Sequence, residues 1–139
     1  MRRPLWIAAT VAAASLAVVP AIPPRSVWDG VYTREQAERG KSAFEADCMK
    51  CHGQNLMGGE AGPPLAGDDF RAKWNGKTVG VLYDTTRKTM PSDDPGSLST
   101  RQYADIVSYI LSANDFPAGP SELGREAAAL NEIRIEAKR

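Results

Sequence analysis

Both cysteines of this 139-residue chain and its only histidine fall within one pentad, Cys48-Met49-Lys50-Cys51-His52. On a helix Cys48 and Cys51 lie three residues apart and project from the same face, and His52 follows within the same turn. Two thiols so placed can form thioethers with the two vinyl groups of one haem, while the imidazole sits under the ring and ligates its iron. C-x-x-C-H is the signature of c-type haem attachment. A closed structural zinc site takes four Cys or His ligands and this chain offers three. A dithiol redox motif belongs beside a βαβ pattern of apolar strands and has no use for the histidine. The implied cofactor is one covalent haem c, held by Cys48 and Cys51 with His52 as axial ligand.

The iron then needs a sixth ligand or an open site, and with no second histidine the donor of choice is methionine. Met49 sits between the two thioether cysteines, on the wrong side of the ring. Met57 follows His52 so closely that the intervening chain reaches at most about 16 Å, too little to round the haem edge and return to the iron. Met90 remains. It stands in Thr89-Met90-Pro91, where a helix must give way to a loop because the residue before proline is pushed out of the α region.

The elements that position these residues read as helices joined by long loops. Thr33, with Gln36 three residues on, forms a capping box for a helix running through Ala37, Gly40 and Phe44 to the pentad. Thr78 starts a second helix carrying Val79, Leu82, Tyr83 and Thr86 on one side. A third, from about Ser99, places Tyr103, Ile106, Val107 and Ile110 on an apolar stripe with Tyr109 beside it. Gly and Pro cluster at 53–67, 91–96 and 117–124 and mark loops. The expected fold is all-α, three main helices and long loops wrapped around one haem.

Ahead of this domain, Arg2 and Arg3 precede an uncharged stretch from Leu5 to Val19, and Val19-Pro20-Ala21 offers small residues for cleavage. Residues 1–21 thus read as a secretory signal, with an uncleaved anchor as the alternative. The stretch is shorter than a spanning helix requires. The 17 basic and 17 acidic residues balance, and loss of Arg2 and Arg3 leaves a slight acidic excess, which gives no reason to expect nucleic acid as a partner. Residues 22–119 make one small domain, and 120–139 a C-terminal extension expected to pack on it, helical near Arg125 to Asn131 and extended at Ile133-Arg134-Ile135.

The order of apolar helix, C-x-x-C-H, Gly-Pro loop, Met-Pro and aromatic C-terminal helix resembles class I cytochrome c from about Trp28 to Gly119. The resemblance matches Gly40 and Phe44 to one side of that family's helix crossing, and Ile106 and Tyr109 to the other. In Gly62-Pro63-Pro64-Leu65 it implies that the Pro63 carbonyl accepts a hydrogen bond from His52 Nδ1 and that Leu65 packs on the haem. It offers Trp74 as an indole donor to a haem propionate, although core packing is the plainer reading of that residue. More narrowly, Trp28-Asp29-Gly30-Val31-Tyr32, Leu65-Ala66-Gly67-Asp68 and the run from Met90-Pro91 to Ser99 resemble small cytochromes that accompany quinoprotein alcohol dehydrogenases.

Together these readings imply an exported monohaem carrier of single electrons, not an enzyme, working between redox protein partners such as a quinoprotein dehydrogenase and a terminal oxidase. A membrane enters only if the N-terminal segment stays uncleaved. Two alternatives stand beside this: a haem subunit held permanently by a dehydrogenase or oxidase, and a haem sensor or peroxidase whose distal site is open. Lys73, Lys77, Arg87 and Lys88 read as a solvated face, with steering of a partner as the alternative.

Overall fold

Helix α1 (Arg34–Asp47) crosses helix α5 (Thr100–Ala113) at Gly40, and the site is built around this contact. A Cβ on Gly40 would lie 1.8 Å from the Asp105 carbonyl oxygen and 3.0 Å from Tyr109 Cβ, so only glycine lets the two backbones meet. One turn on, the Phe44 and Tyr109 rings pack with centroids 5.4 Å apart. Arg39 braces the crossing by donating from Nε and an Nη to the buried Asp105 carboxylate, at 3.0 and 3.1 Å. Asp105 and Tyr109 meet Gly40 from α5, and Ile106, like Phe44, also lines the cavity described below.

These relations come from a computed structural model that describes residues 25–138; the expected signal segment at 1–21 lies outside the described residues. The Thr33 hydroxyl accepts from the Gln36 amide at 3.1 Å and starts α1, but the expected capping box is half made. The Gln36 side chain is buried and pairs instead with the backbone of Leu123, donating from Nε2 at 3.1 Å and accepting at Oε1 at 2.6 Å. A side-chain amide that matches a peptide group in the interior removes two polar groups from need, which outweighs one exposed cap. At Ser99 the reciprocal box with Gln102 is complete.

The expected continuous helix into the pentad breaks at Cys48, whose φ of −123° ends α1 and caps the short helix α2 (Met49–His52). The backbone hydrogen bonding carries on across the break through Cys48. The Cys48 amide still donates to Phe44, and the Cys51 and His52 amides donate to the Cys48 carbonyl at 3.2 and 3.1 Å.

Helix α3 (Gly67–Trp74) falls between the expected elements. Ala66 gives it no side-chain cap, but Asp68 and Asp69 in its first turn and Arg71 and Lys73 in its last complement the helix dipole. Helix α4 (Val79–Thr89) follows, capped by Thr78 and ending where Met90 turns extended before Pro91. In α5, Ala104, Asp105, Ser108 and Leu111 are buried along with the expected stripe. With α1 on one side and the cavity on another, this helix is enclosed almost all round.

The chain closes with α6 (Ala127–Asn131) and strand β2 (Ile133–Arg134), which pairs in parallel with β1 (Arg25–Ser26), Arg25 opposite Ile133. Leu123, Leu130, Ile133 and Ile135 are buried. Ile135 exchanges backbone hydrogen bonds with Gly76 and Lys77, both 2.8 Å, so the final segment braces the turn between α3 and α4. Among the described residues no helix is long and apolar enough to cross a membrane.

Candidate haem site

A cavity of about 290 Å³ opens between α2, the end of α4 and the inner face of α5. Cys48, Cys51 and His52 line it from α2, Met90 lines it from the end of α4, and Phe44, Leu82, Ile106 and Ile110 supply apolar wall. Met49 and Met57 do not line it: Met49 packs against the core, and Met57 is 54% exposed. A flat apolar macrocycle with two reactive vinyl groups matches this lining, which brings two thiols, one imidazole and one thioether to an otherwise mostly hydrophobic space.

The imidazole is fixed in one tautomer. His52 is buried, and its Nδ1 lies 2.8 Å from the Pro63 carbonyl oxygen. A carbonyl only accepts, so Nδ1 carries the proton and the Nε2 lone pair is left to bind iron. The doubled proline does not disturb this partner. The loop that delivers it packs closely on α2: a Cβ on Gly62 would stand 2.9 Å from the Cys51 carbonyl oxygen and 3.0 Å from His52 Nδ1. Gly58 donates to the His52 carbonyl at 2.9 Å, and Leu65 and Ala66 both donate to the Leu56 carbonyl, at 2.7 and 3.2 Å.

No disulfide joins the two cysteines, which are half buried. Burial, then the neighbouring charges of Asp47 and Cys51, pushes the Cys48 thiol up to about 11 before haem is attached.

Leu65 and Pro63 both stand in the lining, and Trp74 serves two ends: it is buried against Phe70, ring centroids 6.0 Å apart, and also forms cavity wall. The Lys77 ammonium lies 5.6 Å over the Trp74 ring. The other cations proposed as a surface patch are paired or dispersed. Arg87 and Lys88 both reach Asp84, at 3.5 and 3.2 Å, and Lys73 lies at the cavity.

Two residues hold the loops of the site: Asn114, which the sequence reading did not single out, and Tyr103, which it placed only on an apolar stripe. Asn114, buried at the end of α5, donates to the Leu65 and Ile110 carbonyls, both 2.9 Å, and accepts from the Gly67 amide at 3.1 Å. Near the other end of α5 the buried Tyr103 donates its hydroxyl proton to the Met90 carbonyl at 2.8 Å. An Asn just past an apolar helix signals a cap, but nothing in sequence says that its partner is a distant loop.

The family model described as cytochrome c oxidase, cbb3-type, subunit III matches residues 35–110, from α1 into α5 and over half of the chain. The cbb3-type cytochrome c oxidase subunit FixP of Rhizobium meliloti is 32% identical over 92 residues, 58% of this chain and 31% of that one. Subunit FixPc of Rhizobium leguminosarum bv. viciae is 30% identical over 103 residues, 63% of this chain and 34% of that one. The chain thus spans about a third of the length of the curated relatives it matches. Among solved structures, the sulfane dehydrogenase SoxCD from Paracoccus pantotrophus aligns over 73% of this chain and 60% of that one, at 23% identity and a TM-score of 0.47. This chain is a class I, single-haem cytochrome c domain, binding haem c covalently, and belongs to the cbb3-type cytochrome c oxidase subunit III family.

Proposed function

We propose that this chain is an exported carrier of single electrons, with no substrate chemistry of its own, and that His52 and Met90 are the two axial ligands of its haem. The observation that carries the reading is that one cavity gathers Cys48, Cys51, His52 and, of the three methionines near the site, Met90 alone. Cys48 and Cys51 would hold the haem by thioethers, each thiol adding across one vinyl group with its sulfur on one carbon and its hydrogen on the other. The Pro63 carbonyl holds the His52 ring so that Nε2 faces the iron and is made more basic. The Met90 sulfur is a poor donor to ferric iron and so favours the ferrous state, which raises the potential. The bound haem supplies the one-electron couple.

With His52 and Met90 both holding the iron, peroxide or a gas would have no standing open position, and electrons would pass through the haem edge to partners that dock weakly and transiently. The partners are redox proteins, with a quinoprotein dehydrogenase as donor and a terminal oxidase as acceptor, and the compartment is the periplasm. A second reading, a haem domain held permanently in an oxidase, is favoured by the names of the two curated relatives. Isolation of the native protein separates the two: a carrier elutes alone, and a subunit copurifies with its complex. The ligand assignment is tested by the ferric optical spectrum. The wild type should show the far-red charge-transfer band of methionine-bound iron, and Met90→Ala should lose it; a spectrum unchanged by the substitution refutes Met90 ligation.

A further inference from the structure

Nine residues, Met90 to Leu98, form the loop that leaves α4 and returns to the start of α5. Its middle, Ser92 to Ser97, is exposed, and its own backbone bonds are few: Asp94 to Pro91 at 3.1 Å, Ser97 to Asp94 at 3.3 Å, and Gly96 to Met90 at 3.4 Å. The two ends of this loop meet at one buried atom. The Tyr103 hydroxyl donates to the Met90 carbonyl at 2.8 Å and accepts from the Leu98 amide at 3.4 Å, while the ring is 1% exposed. Without that hydroxyl the Met90 carbonyl keeps only the long contact from Gly96.

We propose that Tyr103 is the positioning residue of Met90: its hydroxyl ties the loop shut and so holds the methionine sulfur toward the iron. This rests on Met90 ligation as proposed above. The ring of Tyr103 fills core, as any aromatic side chain would, but the hydroxyl sets the direction in which residue 90 leaves the backbone. A phenylalanine fills the same space and leaves the Met90 and Leu98 backbone groups to find water. The loop then opens more often, and the fraction of protein with Met90 off the iron rises.

Tyr83 provides an internal control. It is as buried as Tyr103, and its hydroxyl donates to the Thr100 carbonyl at 3.3 Å, at the first residue of α5, outside the loop and without contact to the Met90 or Leu98 backbone. The experiment titrates ferric wild type, Tyr103→Phe and Tyr83→Phe holoproteins with imidazole, following the far-red band, and measures global unfolding of each in parallel. Imidazole binds only where methionine has left, so its apparent affinity reports the open fraction. Loss of one buried hydrogen bond predicts about tenfold tighter imidazole binding for Tyr103→Phe. Tyr83→Phe should leave imidazole binding unchanged while losing comparable global stability. Equal effects of the two substitutions, or none from Tyr103→Phe, overturn the positioning role while leaving ligation intact. A wild type without the band removes Met90 ligation itself, and Tyr103 with it.

Discussion

The two sides of the haem site are made differently. On the histidine side, loop backbone is held closely against α2 and against the imidazole. Cys48, Cys51 and His52 sit within one turn, the Gly62 backbone lies close against the Cys51 carbonyl, and the Pro63 carbonyl meets His52 at 2.8 Å. Asn114 then pins the returning strand of that loop through the Leu65 and Gly67 backbone. On the methionine side a single residue extends from a helix end, followed by an exposed loop closed by one tyrosine hydroxyl. The first side is built to be permanent, as covalent attachment demands. The second is built so that its ligand depends on a few weak contacts, and its geometry can be tuned by one substitution.

Both sides share α5, so the most damaging test strikes the crossing that places α5 against α1. Gly40→Ala puts a methyl group where the Asp105 carbonyl oxygen already stands, 1.8 Å from the ideal Cβ, and neither backbone can yield without separating the helices. We expect a loss of about 3 kcal/mol or more, read as a lowered denaturation midpoint, together with poor haem incorporation. If Gly40→Ala unfolds like the wild type, the two sides do not depend on a common splint.

Asn114→Ala attacks the histidine side alone. It strips the partner from the half-buried Gly67 amide and removes a donor from the Leu65 carbonyl, for an expected cost of about 2 kcal/mol. The contrast lies in what is spared: the far-red methionine band of the variant should match that of the wild type, because no contact of Asn114 reaches Met90. Chemical denaturation and the ferric spectrum measured on one sample check both halves. A stable Asn114→Ala protein, or one that loses the band, breaks the division into two sides.

How much of this was open to sequence follows the same division. The pentad, the Met90-Pro91 turn and three helix starts at Thr33, Thr78 and Ser99 are local, each set by residues within a turn or two of one another. Their chemistry could therefore be read without a fold. Gln36 shows where local reading stops: its spacing from Thr33 announces a capping box, yet burial hands its amide to Leu123, which lies far along the chain. Asn114 and the hydroxyl of Tyr103 went unread for that reason, since the partner of each is a backbone group in a loop. Helix α3 escaped because its start lies in a Gly-Pro-rich stretch with no capping side chain, although its charges were arranged for a helix. The break at Cys48 is equally invisible, because Asp47, Cys48 and Met49 include neither a proline nor a glycine to announce it.

The smallest expected effect falls on the exposed loop of the methionine side, and it separates structure from electrostatics. Asp93 lines the cavity and Asp94 follows it, both exposed, and neither side chain is engaged in an ion pair of the described structure. Asp93→Asn should therefore change stability by no more than about 0.5 kcal/mol. Its charge still acts on whatever approaches the haem edge. Oxidation of the ferrous protein by anionic hexacyanoferrate(III) should speed up about two- to fivefold at low ionic strength. A cationic cobalt(III) phenanthroline complex should slow by a similar factor, and both changes should shrink toward nothing near 0.15 M salt, where the screening length is about 8 Å. Stopped-flow rates across a salt series measure this. Rates that ignore the substitution at low salt would mean that electrons enter away from the Met90 loop, on the side where the backbone is already closed around His52.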